Sequence, residues 1–367
     1  MPLQRNIIPC VVITTGVTML WAPTDYAARA QCPGDLSGNG VVDGADLGVL
    51  LTAWGTAGGP ADVTGDGVVD GADLGLLLVK WGPCTSVPTW ATLIEAAPDP
   101  AVITNPALRD AITATGRAWR VMDSATQIEM LLIPPGTYEM GCSASNTFAC
   151  ATIEVPVHTV TLTEPLYLGR YEVTQAQWTA QMGSNPSFFQ ASSAQVPASD
   201  VPSRPVDSVS WNAVQGFLAQ SGFRLPTEAE WEFAARAGTT TAFHDFVGAP
   251  SGTNDDALVS SIAWSYEGSC AGGAQCQTRP VGRKHPNGFG LHDMSGNVTE
   301  WVSDWYGNDT YSSATTTDPQ GPSTGVFRVL RGGGWGSNSG ACRSSNRGLA
   351  TPTFSNFDAG FRVARRP

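Results

Sequence analysis

The chain has 367 residues, a length that allows two domains and a small third one. Acidic residues number 32 and basic residues 20, and charged residues make up only 14% of the chain, against roughly 25% in ordinary soluble domains. Because Lys and Arg form no run that could contact phosphates, the composition excludes a nucleic-acid partner. A hydrophobic content of 42% predicts a large core, and 41 Gly with 26 Pro predict a loop-rich chain.

The first thirty residues are typical of a bacterial signal peptide. Arg5 precedes an apolar stretch from Ile7 to Trp21, and Ala28-Arg29-Ala30 has the small-x-small pattern of a cleavage site. A membrane anchor is the alternative, but the stretch is short for the roughly 20 residues of a span. We therefore interpret residues 1–30 as a signal peptide and expect a secreted or cell-surface protein without a membrane span after cleavage.

Seven cysteines follow this segment. In an exported chain their spacing favours three disulfides and one unpaired thiol. A zinc site is the alternative, but no C-x-x-C or H-x-x-H pattern accompanies the cysteines. The predicted pairs are Cys32–Cys84, Cys142–Cys150 and Cys270–Cys276, with Cys342 left over.

Residues 31–84 contain a repeat with a shift of 27 residues. Each copy places oxygen-bearing side chains at loop positions 1, 3, 5, 9 and 12, a Gly at position 6 and a backbone carbonyl at position 7, which is the spacing of a calcium loop. The predicted Ca²⁺ ligands are Asp35, Ser37, Asn39, Val41, Asp43 and Asp46 in the first loop, and Asp62, Thr64, Asp66, Val68, Asp70 and Asp73 in the second.

An apolar stripe at helical spacing follows each loop and predicts two short, half-buried helices that pack on each other. The stripes are Leu47, Leu50, Leu51 and Trp54, then Leu74, Leu77, Leu78 and Trp81. Residues 32–84 resemble a type I dockerin, an all-α calcium module, and the resemblance implies a cohesin-type protein as partner. A calcium-stabilised spacer without a cohesin partner is the alternative.

Residues 85–117 are rich in Pro and small residues and are interpreted as a linker with one short helix near Asn105 to Thr113. A second domain is predicted over 118–367. Capping boxes predict helices after Thr174 and Thr227, and a third helix is expected after Ser210. Short strands are predicted at Glu129–Ile133, Thr159–Leu162 and Phe361–Ala364.

Seven strings in this domain carry a family resemblance. They are MLLIPPGTYEMG, YEVTQAQW, PVDSVSWNAV, FRLPTEAEWEFAARAG, VGRKHPNGFGLHDMSGNVTEW, RVLRGGGW and AGFRVA. In this order they resemble the formylglycine-generating enzyme, or sulfatase-modifying factor, family. The resemblance implies an irregular, loop-rich α+β fold distantly like a C-type lectin, so the expected fold class is α+β with a small all-α calcium repeat.

In the catalytic branch of this family, the resemblance implies oxidation of a sulfatase cysteine by O₂ at copper(I) between two thiolates. Here Cys342 stands alone in RGGGWGSNSGACRSSNR, Gly334 replaces the motif's Ser, and Thr299 replaces the motif's first Trp. Copper and oxidase chemistry are therefore not expected, and Cys342 is the one catalytic candidate. The resemblance also implies a calcium site in HDMSGNVTEW, formed by Asp293, Gly296, Val298 and Glu300. The alternative is that Asp293 caps a turn and Glu300 pairs with an Arg.

The resemblance further places a functional cleft where the Gly-Gly-Gly turn meets neighbouring loops. Indole rings and a guanidinium group would suit a peptide or a glycan. The predicted walls are Trp301, Trp335, Cys342, Arg343 and Asn346. The alternative is that both Trp residues belong to the core and Arg343 binds Glu300 or Asp304. We therefore expect a ligand- or partner-binding scaffold, and the alternative is a protein-modifying enzyme of the formylglycine-generating family.

Overall fold

The computed structural model describes residues 32–142, 148–246, 248–249, 251–270, 276–307 and 311–367. The predicted signal peptide lies outside these residues. The chain divides into a small unit that ends at Cys84 and a large unit that begins at Thr85. Within the described ranges, no helix is both long and apolar enough to cross a bilayer.

The described part of the small unit, residues 32–84, contains two short helices and one antiparallel strand pair. Its elements are α1 (Gly44–Thr52), α2 (Gly71–Val79), β1 (Val41–Val42) and β2 (Gly82–Pro83). Asp43 and Asp70 are the N-caps of the two helices, and each forms a capping box with the Asp three residues later. A disulfide joins Cys32 to Cys84, as predicted.

The apolar stripes of α1 and α2 are buried only in part. Leu50 and Leu77 are fully buried in a small core with Val42 and Val69. The other end of each stripe is exposed, because two helices of nine residues are too short to bury more than one apolar row each. The exposed members and their exposed fractions are Leu51 (53%), Trp54 (46%), Leu78 (52%) and Trp81 (49%).

The predicted linker over 85–117 is wrong, because this segment folds as part of the large unit. Strand β3, Ala91–Glu95, pairs antiparallel with β4, Arg120–Asp123, and forms one edge of a five-stranded sheet. Helix α3, Pro106–Thr113, begins at the Asn105 N-cap, where sequence analysis placed it. Pro106 occupies the first helical turn, where its missing N–H costs no hydrogen bond.

Three sheets are formed by the described residues of the large unit. Their strand orders are β14-β8-β5-β4-β3, β12-β11-β9-β13 and β10-β7-β6. The remaining strands are β5 (Glu129–Ile133), β6 (Gly136–Met140), β7 (His158–Leu162), β8 (Leu166–Gly169), β9 (Thr299–Trp305), β10 (Thr316–Thr317), β11 (Arg328–Arg331), β12 (Gly348–Ala350), β13 (Ala359–Gly360) and β14 (Ala364–Arg365).

Three helices of the large unit begin where their capping residues predicted: α4 (Gln175–Met182), α5 (Trp211–Ser221) and α6 (Glu228–Arg236). Two short helices that sequence analysis did not predict follow, α7 (Asp256–Val259) and α8 (Tyr266–Cys270). Thr174, Ser210 and Thr227 cap the first three through their side chains. Helix α6 is C-capped by Ala237, whose φ of 47° is left-handed.

The predicted strand Phe361–Ala364 is largely absent, since only Ala364 joins a strand there. Phe361 and Val363 are buried, but so is Arg362 between them. The segment therefore has no solvent-facing side, and its backbone carbonyls accept hydrogen bonds from Val173 and Gly169. Together the described elements form a mixed α/β, loop-rich fold in which disulfides join Cys142 to Cys150 and Cys270 to Cys276, as predicted.

Candidate ligand site

Trp301 lies in the core and not in a cleft. Its side chain is fully buried on β9, and its indole N–H donates to the carbonyl of Val209 at 2.9 Å. Trp231 on α6 is buried in the same core. A ligand cannot reach Trp301, so this residue does not line the predicted cleft.

Arg343 is equally unavailable to a ligand. Its guanidinium group binds both carboxylate oxygens of buried Glu154, at 2.6 and 2.8 Å, and its Nε donates to the carbonyl of Gly340 at 2.7 Å. Arg343 is therefore tied to Glu154, whereas its predicted alternative partners were Glu300 and Asp304. The guanidinium donors that would have bound a ligand make their hydrogen bonds inside the protein.

Cys342 is a free cysteine, as predicted, and its thiol is buried. It ends a short 3₁₀ helix, Ser339–Cys342. It packs in a small apolar cluster with Ala242, Phe243, Phe246, Val259, Ile262 and Ala263. Burial, followed by the nearby Glu267 carboxylate, raises the pKa of the Cys342 thiol to about 12. A neutral, enclosed thiol is neither a nucleophile nor a soft metal ligand.

Trp335 is the predicted cleft residue that reaches the surface as part of a ring cluster. It is half-buried, and its indole N–H donates to the carbonyl of Phe357 at 3.2 Å. Asn346 is also half-buried, and its backbone carbonyl accepts a hydrogen bond from Arg331. The structure records no contact that joins Asn346 to Trp335 among the described residues.

Four aromatic side chains form what we call the aromatic cluster: Phe188, Phe189, Trp335 and Phe357. Ring centroids of Trp335 lie 5.4 Å from Phe189 and 5.7 Å from Phe357, and Phe188 lies 5.8 Å from Phe357. Phe188 is 69% exposed and Phe357 is 44% exposed. Sequence analysis missed the three Phe residues, although aromatic pairs in the polar loops NPSFFQ and FSNFD were a signal for them.

A cavity of about 460 Å³, here called the Asp358 cavity, is lined in part by residues that flank Phe357 in the chain. Its polar lining includes Thr299, Asn356 and Asp358, and its apolar lining includes Phe327 and Phe354. Strand β13 pairs with β9 at Thr299, and the Thr299 amide donates to the carbonyl of Asp358 at 2.6 Å. Sheet pairing thus holds the polar side of the cavity.

Gly334 and Thr299, the two residues that depart from the family motifs, lie next to each other beside this cavity. A Cβ atom at Gly334 would lie 3.3 Å from the Thr299 hydroxyl and 3.0 Å from the Cβ of Asp358. Gly334 and Thr299 were identified separately in the sequence, and the fold makes them neighbours. A serine at position 334 would crowd both side chains.

The predicted metal ligands of the large unit are mostly engaged with protein partners. Glu300 is buried and accepts hydrogen bonds from Arg362 at 2.6 Å and from the Trp231 indole at 2.7 Å. The Asp293 Oδ2 atom accepts from the Gly282 amide, while its buried Oδ1 atom has no hydrogen-bond partner in the described chain. Burial raises the pKa of Asp293 to about 6. For Glu300 the structure thus shows the alternative given above, in which this carboxylate pairs with an Arg.

The backbone around Gly296 and Val298 is fixed by buried groups. The amide of Gly296 donates to the carbonyl of Gly332, and the amide of Val298 donates to the carboxylate of Glu172 at 2.9 Å. Burial, together with the Asp293 and Glu300 carboxylates, raises the pKa of Glu172. Sequence analysis missed Glu172 because it lies 126 residues away from Val298 in the chain.

The two repeat loops wrap around their first and last Asp. Asp35 accepts hydrogen bonds from the amides of residues 38–40, and Asp62 accepts the same bonds from 65–67. Asp46 and Asp73 are fully buried, and each accepts two backbone amides across its loop. Within the described ranges, no three His, Cys, Asp or Glu side chains converge into a metal centre.

Comparison with known proteins identifies relatives of the large unit. The family model "Sulfatase-modifying factor enzyme 1-like domain" matches residues 108–367. A formylglycine-generating enzyme of Streptomyces coelicolor is 32% identical over 323 residues, covering 73% of this chain and 95% of that protein.

Two solved structures share the fold. Treponema denticola variable protein 1 has a TM-score of 0.56 and 30% identity, and the match covers 65% of this chain and 95% of that one. PvdO from Pseudomonas aeruginosa has a TM-score of 0.53 and 27% identity, with coverage of 68% and 98%.

Proposed function

The chain belongs to the sulfatase-modifying factor family, and we propose that it is a non-oxidase member whose large unit binds a ligand or a partner at the aromatic cluster. The observation that carries this proposal is the state of the thiols. Six described cysteines form disulfides and the seventh, Cys342, is buried. Oxidation at copper between two thiolates needs a pair of accessible thiols, and the described chain offers none.

The aromatic cluster supports binding because exposed rings are costly unless something covers them. Phe188 and Phe357 are exposed, and half-buried Trp335 is fixed beside them by its hydrogen bond to the Phe357 carbonyl. Flat apolar surface next to hydrogen-bonding loops suits a peptide or a glycan.

The decisive experiment is an oxidation assay. The purified protein is incubated with copper(I), O₂ and a peptide that contains Cys-x-Pro-x-Arg, and the mass of the peptide is then measured by mass spectrometry. We expect an unchanged cysteine. Conversion of the thiol to an aldehyde would overturn the non-oxidase proposal.

The comparisons favour a second candidate function, formylglycine generation, because a relative of that name is 32% identical to this chain. Under this function Cys342 would be the catalytic thiol and would have to leave its apolar cluster to react. The same assay with Cys342→Ser separates the two functions. Aldehyde formation by the natural chain, lost in Cys342→Ser, would establish the second one.

Calcium is proposed for the two repeat loops because their oxygen-bearing residues have the spacing of a calcium loop and because each loop buries one carboxylate. Burial raises the pKa of Asp46, but hydrogen bonds from the Asp43 and Ser37 amides outweigh it and hold the pKa below its ordinary value. Asp73 behaves in the same way. Neither carboxylate has a Lys or Arg partner among the described ion pairs, so bound Ca²⁺ would supply the missing positive charge. In the large unit Asp293 fits a cation, whereas Glu300 is already neutralised by Arg362.

Docking on a cohesin-type domain is proposed for the small unit. Its exposed apolar residues repeat at the same positions of α1 and α2, Leu51 with Leu78 and Trp54 with Trp81, at closely similar exposures. Export is proposed with it, since disulfides persist in oxidising compartments. Calorimetry with a purified type I cohesin domain in calcium should show binding that Leu51→Asp with Leu78→Asp removes. Absence of binding would favour the spacer alternative.

A further inference from the structure

The Asp358 cavity has the chemistry of a pocket for a neutral, hydroxyl-rich ligand. Asp358 is half-buried, and its Oδ1 atom accepts a hydrogen bond from the Asn356 amide at 2.7 Å. This contact fixes a carboxylate and an amide side by side. Such a pair can accept from one hydroxyl and donate to the next, as adjacent hydroxyls of a sugar ring require.

The charge of the lining excludes an anionic ligand. Among the described residues that line the cavity there is no Lys or Arg, and the one ionisable group is the Asp358 carboxylate. Burial raises the pKa of Asp358, so the cavity already disfavours its negative charge. A phosphate or carboxylate ligand would add a second negative charge without a partner.

The apolar lining of the cavity includes two phenylalanine side chains that water still reaches, besides aliphatic residues. Phe327 is 37% exposed and Phe354 is 41% exposed. Among the described aromatic pairs neither ring has a ring partner, in contrast to the four rings of the aromatic cluster, which contact one another in tilted and edge-on pairs. Exposed phenyl faces beside fixed hydroxyl-binding groups complement the apolar C–H face of a pyranose ring and its polar edge.

We propose that the Asp358 cavity binds one neutral sugar residue of a glycan, with Asp358 and Asn356 on two adjacent hydroxyls and Phe354 against the ring. The inference rests on the proposed ligand-binding function and names its ligand class. A peptide is the competing ligand, and the test separates the two.

The test uses the full chain and three neutral probes, cellohexaose, xylohexaose and mannohexaose, measured by isothermal calorimetry. At least one probe should bind, and Asp358→Asn or Phe354→Ala should weaken it about tenfold, the effect of losing roughly 1.4 kcal/mol. Thr299→Val, which replaces the hydroxyl with a methyl group of similar size, should weaken it several-fold. Val326→Ala is the matched control, because Val326 is 68% exposed and does not line the cavity.

The remaining outcomes are all informative. If none of the three sugars binds at millimolar concentration, or if the cavity variants bind as the natural chain does, the inference is overturned. If none of the three sugars binds but the Cys-x-Pro-x-Arg peptide does, and peptide binding is lost in Trp335→Ala and kept in Phe354→Ala, the sugar is overturned and the scaffold function is retained. Oxidation of that peptide would overturn the scaffold function itself.

Discussion

Arg343 and Glu154 face each other through two hydrogen bonds of 2.6 and 2.8 Å, and both side chains are buried. The hydroxyl of Ser345 donates to the same carboxylate at 2.9 Å. A guanidinium group that is held this way contributes to folding and not to ligand recognition. Its loss leaves a buried negative charge without a partner, which costs far more than the loss of an exposed ion pair.

We expect Arg343→Leu to lower the free energy of unfolding by about 3–5 kcal/mol. The measurement is urea denaturation of the full chain. The matched control is Arg283→Leu, because Arg283 is 59% exposed and pairs with Asp200 at 2.9 Å, a contact worth at most about 1 kcal/mol. Equal losses in the two variants would contradict this assignment, and the double variant Arg343→Leu with Glu154→Leu should recover much of the stability.

Cys342 should be unreactive in the folded protein. With a pKa of about 12 and no exposed surface, its thiol presents almost no thiolate at neutral pH. In a Cys10→Ser variant, a disulfide-exchange reagent should label no thiol natively and one thiol after unfolding in guanidinium chloride. Rapid labelling of the native chain would show that the cluster around Cys342 opens.

Helix starts could be predicted because they depend on residues within one turn. Thr174 and Thr227 each bind the amide three residues later, so the pattern is contained in four residues. The absence of a strand at Phe361–Ala364 could not be predicted from neighbouring residues in the same way. The partner that buries Arg362 is Glu300, which lies 62 residues away.

The candidate site was predicted in part for the same physical reason. Trp335 lies at the surface, but Arg343 meets Glu154 across 189 residues, a contact that no local pattern shows. The linker prediction failed because folded loops and a first helical turn that contain prolines have the same amino-acid composition as a flexible linker. Only the pairing of β3 with β4 distinguishes the two.

Asp304 should make the stability depend on pH. Burial, and then the Glu228 carboxylate, raise its pKa from 3.8 to about 7, although the Glu228 amide and the Ser303 hydroxyl donate to it. Between these two values the folded state binds more protons than the unfolded state. Stability therefore falls as the pH rises through this window, by at most about 1.4 kcal/mol per pH unit.

The variant Asp304→Asn keeps an oxygen acceptor and removes the charge. Urea denaturation at several pH values should give a flatter curve for Asp304→Asn than for the natural chain between pH 4 and 7. Other titrating groups cancel in this comparison. Parallel curves would show that the pKa of Asp304 is not raised.

Calcium should stabilise the small unit through Asp46 and Asp73. Binding at 100 times the dissociation constant stabilises a folded unit by about 2.7 kcal/mol per site. Far-ultraviolet circular dichroism of the full chain should show a transition that moves to higher temperature in calcium and returns in EDTA. Asp46→Asn with Asp73→Asn should abolish this shift, and a melt that is the same in calcium and EDTA would refute the calcium proposal.

Gly333 should tolerate no side chain, whereas Gly336, three residues later, should accept one. Gly333 has a φ of +65°, and a Cβ atom there would lie 2.8 Å from the Ala341 carbonyl oxygen and 3.0 Å from the Cys342 sulfur. Left-handed backbone costs a non-glycine residue roughly 1–2 kcal/mol, and overpacking adds roughly 1–3 kcal/mol. Gly336 has no atom within 4 Å of its Cβ position. We expect Gly333→Ala to lose at least about 2 kcal/mol of unfolding free energy and Gly336→Ala to stay within about 0.5 kcal/mol of the natural chain.

Because the Gly333 contact is with the Cys342 segment, Gly333→Ala should also speed labelling of the Cys342 thiol. Similar stabilities for the two variants would mean that the Gly-Gly-Gly turn does not pack against Cys342.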